Sequence, residues 1–96
     1  MTAKSLQPAV RADVYTAIDE ERAYPKKWEN PELTDSGGRH SNVEFLVYIK
    51  DYAEEALHIA ARKPDPEARV QNTHALRKIA ALAVAAMEQN GVLFRG

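Results

Sequence analysis

The chain has 96 residues, no cysteine and a formal net charge of -1 at pH 7. Its length predicts one domain, 1–96, and its balanced charge argues against binding to a nucleic-acid polymer through overall basic character. The missing cysteines exclude thiolate zinc sites, cysteine nucleophiles and disulfides. No apolar segment reaches the roughly 20 residues of a membrane span, so we expect no membrane partner and a cytoplasmic protein.

The first predicted helix covers about 7–23, with Pro8 tolerated in its first turn. Its apolar residues recur at steps of three or four, as one stripe: Val10, Val14, Ala17 and Ile18. A predicted loop over 24–40 follows, because prolines, glycines and charges interrupt all apolar periodicity there. Loops of this length are more often functional than short connections.

The second helix is predicted over 41–62. Ser41 and Glu44 form the sequence signature of a capping box at its start. Its buried face is predicted from seven apolar positions: Phe45, Leu46, Ile49, Ala53, Ala56, Leu57 and Ala60. The third helix is predicted over 66–90, with Asp65 as N-cap and an Asn-Gly stop at its end.

These elements predict an all-α fold. The short linker before the third helix favours an antiparallel hairpin of two long helices, with the shorter first helix packed across it. One side of the apolar third helix would stay uncovered, together with Val92, Leu93 and Phe94. Exposed apolar patches usually mark interfaces, so we expect a homo-oligomer.

Acidic residues on the polar face of the second helix are one candidate site. Glu44, Asp51 and Glu55 follow one another at steps that place them on one side, with Tyr48 and His58. Carboxylate oxygens in such a row suit Mg²⁺ or Mn²⁺. A solvated helix face is the alternative.

The start of the 24–40 loop places lysines between aromatic residues: Tyr24, Lys26, Lys27 and Trp28. Aromatic rings stack on bases and ammonium groups pair with phosphates, so this composition suits a nucleotide. The alternative is that Trp28 packs the loop against the core while the lysines stay in water.

Two further groups of residues suit an anion. His74, Arg77 and Lys78 lie near one another at the start of the third helix, and Arg is well shaped for a phosphate. Arg39 follows two glycines just before the second helix, where free N–H groups can hold an anion. A solvated helical turn and a flexible turn are the respective alternatives.

Three segments resemble small phage and prophage proteins: Glu20-Glu21-Arg22 with Lys27-Trp28, then the residues from His40 to Leu46, then the residues from Leu76 to Gly91. Those proteins are similar in turn to the MazG-like all-α nucleotide pyrophosphohydrolases. That resemblance implies Mg²⁺ held by acidic residues of two helices. Asp51 and Glu55 keep two such carboxylates, whereas Ala75 and Lys78 stand where the second helix would supply the others.

The leading hypothesis is therefore a non-catalytic nucleotide-binding protein of phage type, without a cofactor. The resemblance suggests a sponge that sequesters a cyclic or linear signalling nucleotide of host anti-phage defence, in the cytoplasm of the host cell. One alternative is a Mg²⁺-dependent nucleoside triphosphate pyrophosphohydrolase that uses Glu44, Asp51 and Glu55 as metal ligands, with Glu21 as an optional fourth. The other is a protein interaction module that inhibits a host defence protein through the charged face of the second helix.

Overall fold

The computed structural model describes residues 6–24 and 40–96. These residues form three α-helices, α1 over Arg11–Ala23, α2 over Asn42–Arg62 and α3 over Glu67–Asn90, and they contain no strand. The all-α prediction with three helices is thus confirmed for the described residues. Within the same ranges, none of the helices combines the length and the apolarity needed to cross a membrane.

Helix α1 begins four residues later than the sequence predicted. Its N-cap is Val10, in an extended conformation, and the described residues before the helix, 6–10, are not helical. All five of these residues are exposed. A helical turn forms at a cost in conformational entropy, and no buried contact offsets that cost before Arg11.

Helix α2 begins with the predicted capping box. The Ser41 hydroxyl accepts a hydrogen bond from the Glu44 N–H at 3.1 Å, and Ser41 N–H donates to Glu44 Oε1 at 2.7 Å. These bonds satisfy backbone donors that the first helical turn leaves without a partner. They also lower the pKa of the exposed Glu44 carboxyl, chiefly through the bond from the Ser41 backbone N–H.

The N-terminus of α3 differs from the prediction. Pro66, not Asp65, is the N-cap, and no side chain caps the helix. Asp65 instead accepts a hydrogen bond from Arg69 at 3.0 Å, which occupies its carboxylate. At the other end Gly91 stops the helix with φ of 107°, a conformation that a glycine adopts without strain.

Helix α3 lies at the centre of the described structure and contacts both α1 and α2. The start of α2 lies beside the end of α3, where Asn90 donates to Asn42 at 3.1 Å, so the two helices run antiparallel. Phe45 packs there against Leu82 and Ala85, and Ile49 and Ala86 flank this core. Small residues of α3 allow Phe45 to be almost completely buried.

The buried face of α2 is narrower than the sequence predicted. Phe45 is buried and Ile49 is partly buried, but three residues predicted to lie in the core, Leu46, Leu57 and Ala60, are exposed. The apolar arc of α2 is wider than one neighbouring helix can cover, and α3 covers only one edge of it.

Candidate anion-binding site

Two cations of α3 meet one carboxylate of α1. Arg77 Nε donates to Glu21 Oε1 at 2.9 Å, and Lys78 Nζ lies 3.6 Å from Glu21 Oε2. Arg77 Nη2 also lies 2.5 Å from His74 Nδ1, one turn earlier on α3. We call these four residues the Glu21 cluster.

Helical geometry explains how these residues come together. Steps of three and four residues place His74, Arg77 and Lys78 on neighbouring parts of the α3 surface. Glu21 lies in the last turn of α1, which crosses α3 at this point. The sequence predicted the three α3 residues as a group but gave no sign that Glu21 would pair with two of them.

The Glu21 cluster carries more positive than negative charge. Only 14% of the Glu21 side chain is exposed, against 36% for Arg77 and 40% for Lys78. The contact between Lys78 and Glu21 is longer than a hydrogen bond, so Glu21 balances the ammonium charge without fixing its donors. Glu21 thus orients Arg77 and neutralises only one of the two positive charges, which leaves an accessible cationic surface.

The aromatic and basic residues of the predicted site fall mostly outside the described residues. Tyr24 is described: it is exposed at the end of α1, and its N–H donates to the Glu21 carbonyl at 3.2 Å. Lys26, Lys27, Trp28 and Arg39 lie outside the described residues. Four of the eight predicted ligand-binding residues are therefore described: His74, Arg77 and Lys78 in the Glu21 cluster, and Tyr24, which follows Glu21 by three residues at the end of α1.

Three successive residues at the end of α3 bind Arg22 of α1 and His40, which precedes α2. Glu88 Oε1 accepts from Arg22 Nε at 2.8 Å and from Arg22 Nη2 at 2.5 Å. Gln89 accepts from the His40 N–H at 2.9 Å, and Asn90 donates to the His40 carbonyl at 3.0 Å. We call Glu88, Gln89 and Asn90 the α3 clamp. The clamp therefore joins Arg22 of α1 to His40, the residue before the N-cap of α2.

Arg22 is the charged residue that this arrangement buries. Its side chain is 10% exposed, and within the described residues its Nη1 atom is buried without a hydrogen-bond partner. A buried guanidinium is costly unless a carboxylate pairs with it, which is the role of Glu88. The sequence reasoning missed this ion pair, although an arginine near the end of an amphipathic helix gave a weak signal.

The aromatic residues at the start of α2 pack on the ring of His40. The His40 ring lies edge-on to Phe45 and to Tyr48, with ring centroids 5.7 and 5.6 Å apart. This packing orients His40, whose backbone the clamp holds. Tyr48 is therefore partly structural, and not only a member of the polar face of α2.

The acidic residues of α2 do not form one compact group. Glu44 is engaged in the capping box, while Asp51 and Glu55 line a shallow cavity of about 300 Å³ with Tyr48 and Tyr52. Within residues 6–24 and 40–96, no three side chains of His, Asp or Glu converge as metal ligands would. The structure thus brings Asp51 and Glu55 together without Glu44.

No protein-family model, curated protein or solved structure matches this chain. The resemblance to phage proteins and to MazG-like enzymes therefore stays a prediction. The structure does relate its three segments to one another: Arg22 from the first binds Glu88 from the third, and His40 from the second binds Gln89 and Asn90. Residues in all three segments serve one contact at the end of α3.

Proposed function

We propose that this protein binds the phosphate groups of a nucleotide without hydrolysing them, through Arg77 and Lys78 of the Glu21 cluster. The observation that supports this proposal is the pair of accessible cations held in place by one nearly buried carboxylate. Planar guanidinium and ammonium groups recognise phosphate oxygens by charge-assisted hydrogen bonds. His74 adds a ring nitrogen beside Arg77.

The 25–39 segment would supply the contacts to the base. Lys26, Lys27 and Arg39 add cations and Trp28 adds an aromatic ring, while Tyr24 lies exposed at the end of α1. Base stacking on aromatic side chains is worth about 1–3 kcal/mol per base and tolerates any base identity.

The Glu21 cluster also favours binding over hydrolysis. In the enzyme alternative Glu21 is an optional addition to the Mg²⁺ ligands Glu44, Asp51 and Glu55, and in the structure both oxygens of the Glu21 carboxylate face cations. A metal ion would have to displace Arg77 and Lys78 while lying within a few ångströms of their charges, which is electrostatically unfavourable. This argument supports a non-catalytic role and leaves phosphate binding intact.

A phage sponge for a signalling nucleotide of host defence, acting in the host cytoplasm, is the biological setting that we propose. It rests on the resemblance of the three segments and on the lysine and alanine that stand at the metal-ligand positions of the enzymes. Sequestration requires that the ligand be bound tightly and released unchanged.

Isothermal titration calorimetry with nucleoside triphosphates and with cyclic mono-, di- and trinucleotides tests the proposal. We expect at least one of these to bind, with the ligand recovered intact afterwards. Arg77→Ala should weaken this binding at least tenfold, since a charged hydrogen bond to phosphate is worth about 1.5–3 kcal/mol. Arg69→Ala is the matched control, because Arg69 is an exposed arginine of the same helix that pairs with Asp65.

Glu21→Gln separates direct phosphate contact from an effect on folding. Both Glu21→Gln and Arg77→Ala remove the ion pair between α1 and α3, so a purely structural role would weaken binding in both variants. If phosphate binds the cations directly, Glu21→Gln should tighten binding several-fold, because it removes a competing negative charge. Absence of binding across the whole panel, or equal losses in Arg69→Ala and Arg77→Ala, would refute the proposal.

A further inference from the structure

Helix α3 has three sides, and the described structure covers two of them. One side packs on α2 through Leu82 and Ala86, and another meets α1 through Arg77 and Glu88. The third side carries an apolar row at steps of four, three and four: Leu76, Ala80, Ala83 and Met87. Leu76 and Met87 are exposed, and the two alanines are partly exposed.

Helix α2 has an uncovered apolar flank of its own. Val43, Leu46, Val47 and Leu57 are all at least half exposed. At 3.6 residues per turn, Leu46 and Leu57 lie about 90° around the helix from the seam residues Phe45 and Ile49. They therefore lie beside the seam with α3.

The two uncovered surfaces lie on the same side of the α2–α3 hairpin. On α3 the seam residues are Leu82 and Ala86. Leu76, Ala83 and Met87 are turned from them by about 90° or slightly more around the helix axis, in the same rotational sense as Leu46 and Leu57 are turned on α2. Because the helices run antiparallel, equal turns in that sense point to one side of the pair. We call this surface the hairpin face and define it by Val43, Leu46, Leu57, Leu76, Ala83 and Met87.

The buried core is small for the number of apolar side chains outside it. Among the described residues, only Phe45 and Leu82 are both large and buried, and the other buried apolar residues are Ala68, Ala81 and Ala85. Sixteen large hydrophobic residues of the same ranges are exposed. A domain of this size has little core to spare, so further apolar burial would stabilise it substantially.

We propose that a second copy of this chain covers the hairpin face, in a two-fold dimer that packs each of α2 and α3 antiparallel on its counterpart. The charges of α2 favour this occupant. Lys50 and Glu54 lie within the apolar flank, one of each sign, 3.6 Å apart. In an antiparallel pair centred near residue 52, Lys50 lies opposite the partner subunit's Glu54, and Leu46 lies close to the partner subunit's Leu57.

The row on α3 has the same two-fold character. When α3 pairs antiparallel with the α3 of the second copy, centred between residues 81 and 82, Leu76 meets the partner subunit's Met87. In the same pairing Ala80 meets the partner subunit's Ala83. The small residues then lie at the centre, where two helices can approach closely, and the large ones lie outside them.

One symmetry axis passes near both centres. Asn42 contacts Asn90 and Phe45 packs on Leu82 and Ala85, so residue 52 of α2 lies level with a point between residues 75 and 80 of α3. The two centres therefore lie within about two turns of each other, or roughly 2 to 10 Å along the helices. A surface selected for a different protein would not need to match its own reverse in both charge and size.

Disulfide cross-linking tests both the partner and its direction. The chain contains no cysteine, so Leu76→Cys and Met87→Cys each introduce a single thiol. In the proposed dimer, residue 76 of one chain meets residue 87 of the other, whereas two residues of the same number are about 16 Å apart along the helix. We expect a covalent dimer on oxidising the mixture of the two variants, and none from either variant alone.

A charge reversal tests the contact on α2 by analytical ultracentrifugation. Lys50→Glu places like charges opposite each other and should raise the dimer dissociation constant at least tenfold, and the double change Lys50→Glu with Glu54→Lys should restore it. Lys63→Glu is the matched control: it breaks the similar pair with Glu67, outside the hairpin face, and should leave the dissociation constant unchanged.

A monomeric wild-type chain, or cross-linking of each cysteine variant with itself, overturns the proposal, as does a double change that fails to restore association. A different protein that binds this face in preference to a second copy also overturns it. The hairpin face and the Glu21 cluster lie on different sides of α3, so loss of the dimer in Lys50→Glu should leave nucleotide binding unchanged. Failure of this inference is thereby distinguishable from failure of the proposed function.

Discussion

The ion pair between Arg22 and Glu88 gives the sharpest test of how the structure is held together. Both Arg22 contacts end on the same oxygen, Glu88 Oε1, at 2.8 and 2.5 Å. Glu88→Ala removes this acceptor and leaves a guanidinium whose side chain is 10% exposed without its partner. The expected result is a loss of stability that comes mainly from the stranded charge and only in part from the lost contact.

The magnitude follows from the exposure of the two partners. Removing one member of a fully buried pair costs about 3–5 kcal/mol, whereas an exposed pair is worth about 0.2–1 kcal/mol. Glu88 is 50% exposed, so water can reach part of the space that its side chain vacates. We therefore expect Glu88→Ala to lower the free energy of unfolding by about 2 kcal/mol, which lowers Tm by roughly 10 °C for a domain of this size.

Arg22→Met provides the matched comparison, because it removes the charge together with its need for a partner. The double change Arg22→Met with Glu88→Ala should be more stable than Glu88→Ala alone. Urea unfolding followed by circular dichroism measures all three variants, at one fixed protein concentration because self-association contributes to stability. Glu67→Ala removes a 3.8 Å pair with Lys63 at the surface and should stay within about 0.5 kcal/mol of the wild type.

Two results would refute this reasoning. If Glu88→Ala stays within about 0.5 kcal/mol of the wild type, the α3 clamp does not hold α1 in place. If the double change is less stable than Glu88→Ala alone, the cost does not arise from an unpaired guanidinium.

The capping box of α2 yields two further predictions. Ser41→Ala should destabilise the protein by about 1 kcal/mol in urea unfolding, since it removes the acceptor of the Glu44 N–H, while Ser41→Asn, which keeps a capping oxygen, should lose much less. The pKa of Glu44 is lowered from 4.5 in the folded protein, so its contribution to stability is fully present above that pH and is lost as the pH falls through the lowered pKa. Glu44→Gln should therefore flatten the decline of the urea midpoint between about pH 5 and pH 3, and an unchanged slope would contradict the assigned role.

The local parts of the fold could be predicted because short-range chemistry determines them. The capping box of α2 depends on Ser41 and Glu44, three residues apart, and the end of α3 depends on Gly91. Burial was harder to predict. Leu46 and Leu57 belong to the same apolar arc as Phe45, and only the position of α3 decides which edge of that arc is covered.

The candidate site was predicted in part for the same reason. His74, Arg77 and Lys78 are close in sequence, so their proximity followed from helical spacing. Glu21 is separated from Arg77 by 56 positions, and the crossing point of α1 on α3 determines their contact. No local pattern carries that information, and the same holds for the bond between His40 and Gln89.

The positions of these contacts along α3 indicate how the chain could combine binding with assembly. Three turns of α3 separate Arg77 from Glu88, so both lie on the side that meets α1, and the hairpin face occupies another side of the same helix. The α3 clamp constrains Glu88, Gln89 and Asn90 whether or not a ligand is bound, because they hold Arg22 and His40. We expect substitutions in the α3 clamp to act mainly on stability, and substitutions of Arg77 to reduce ligand binding more than stability.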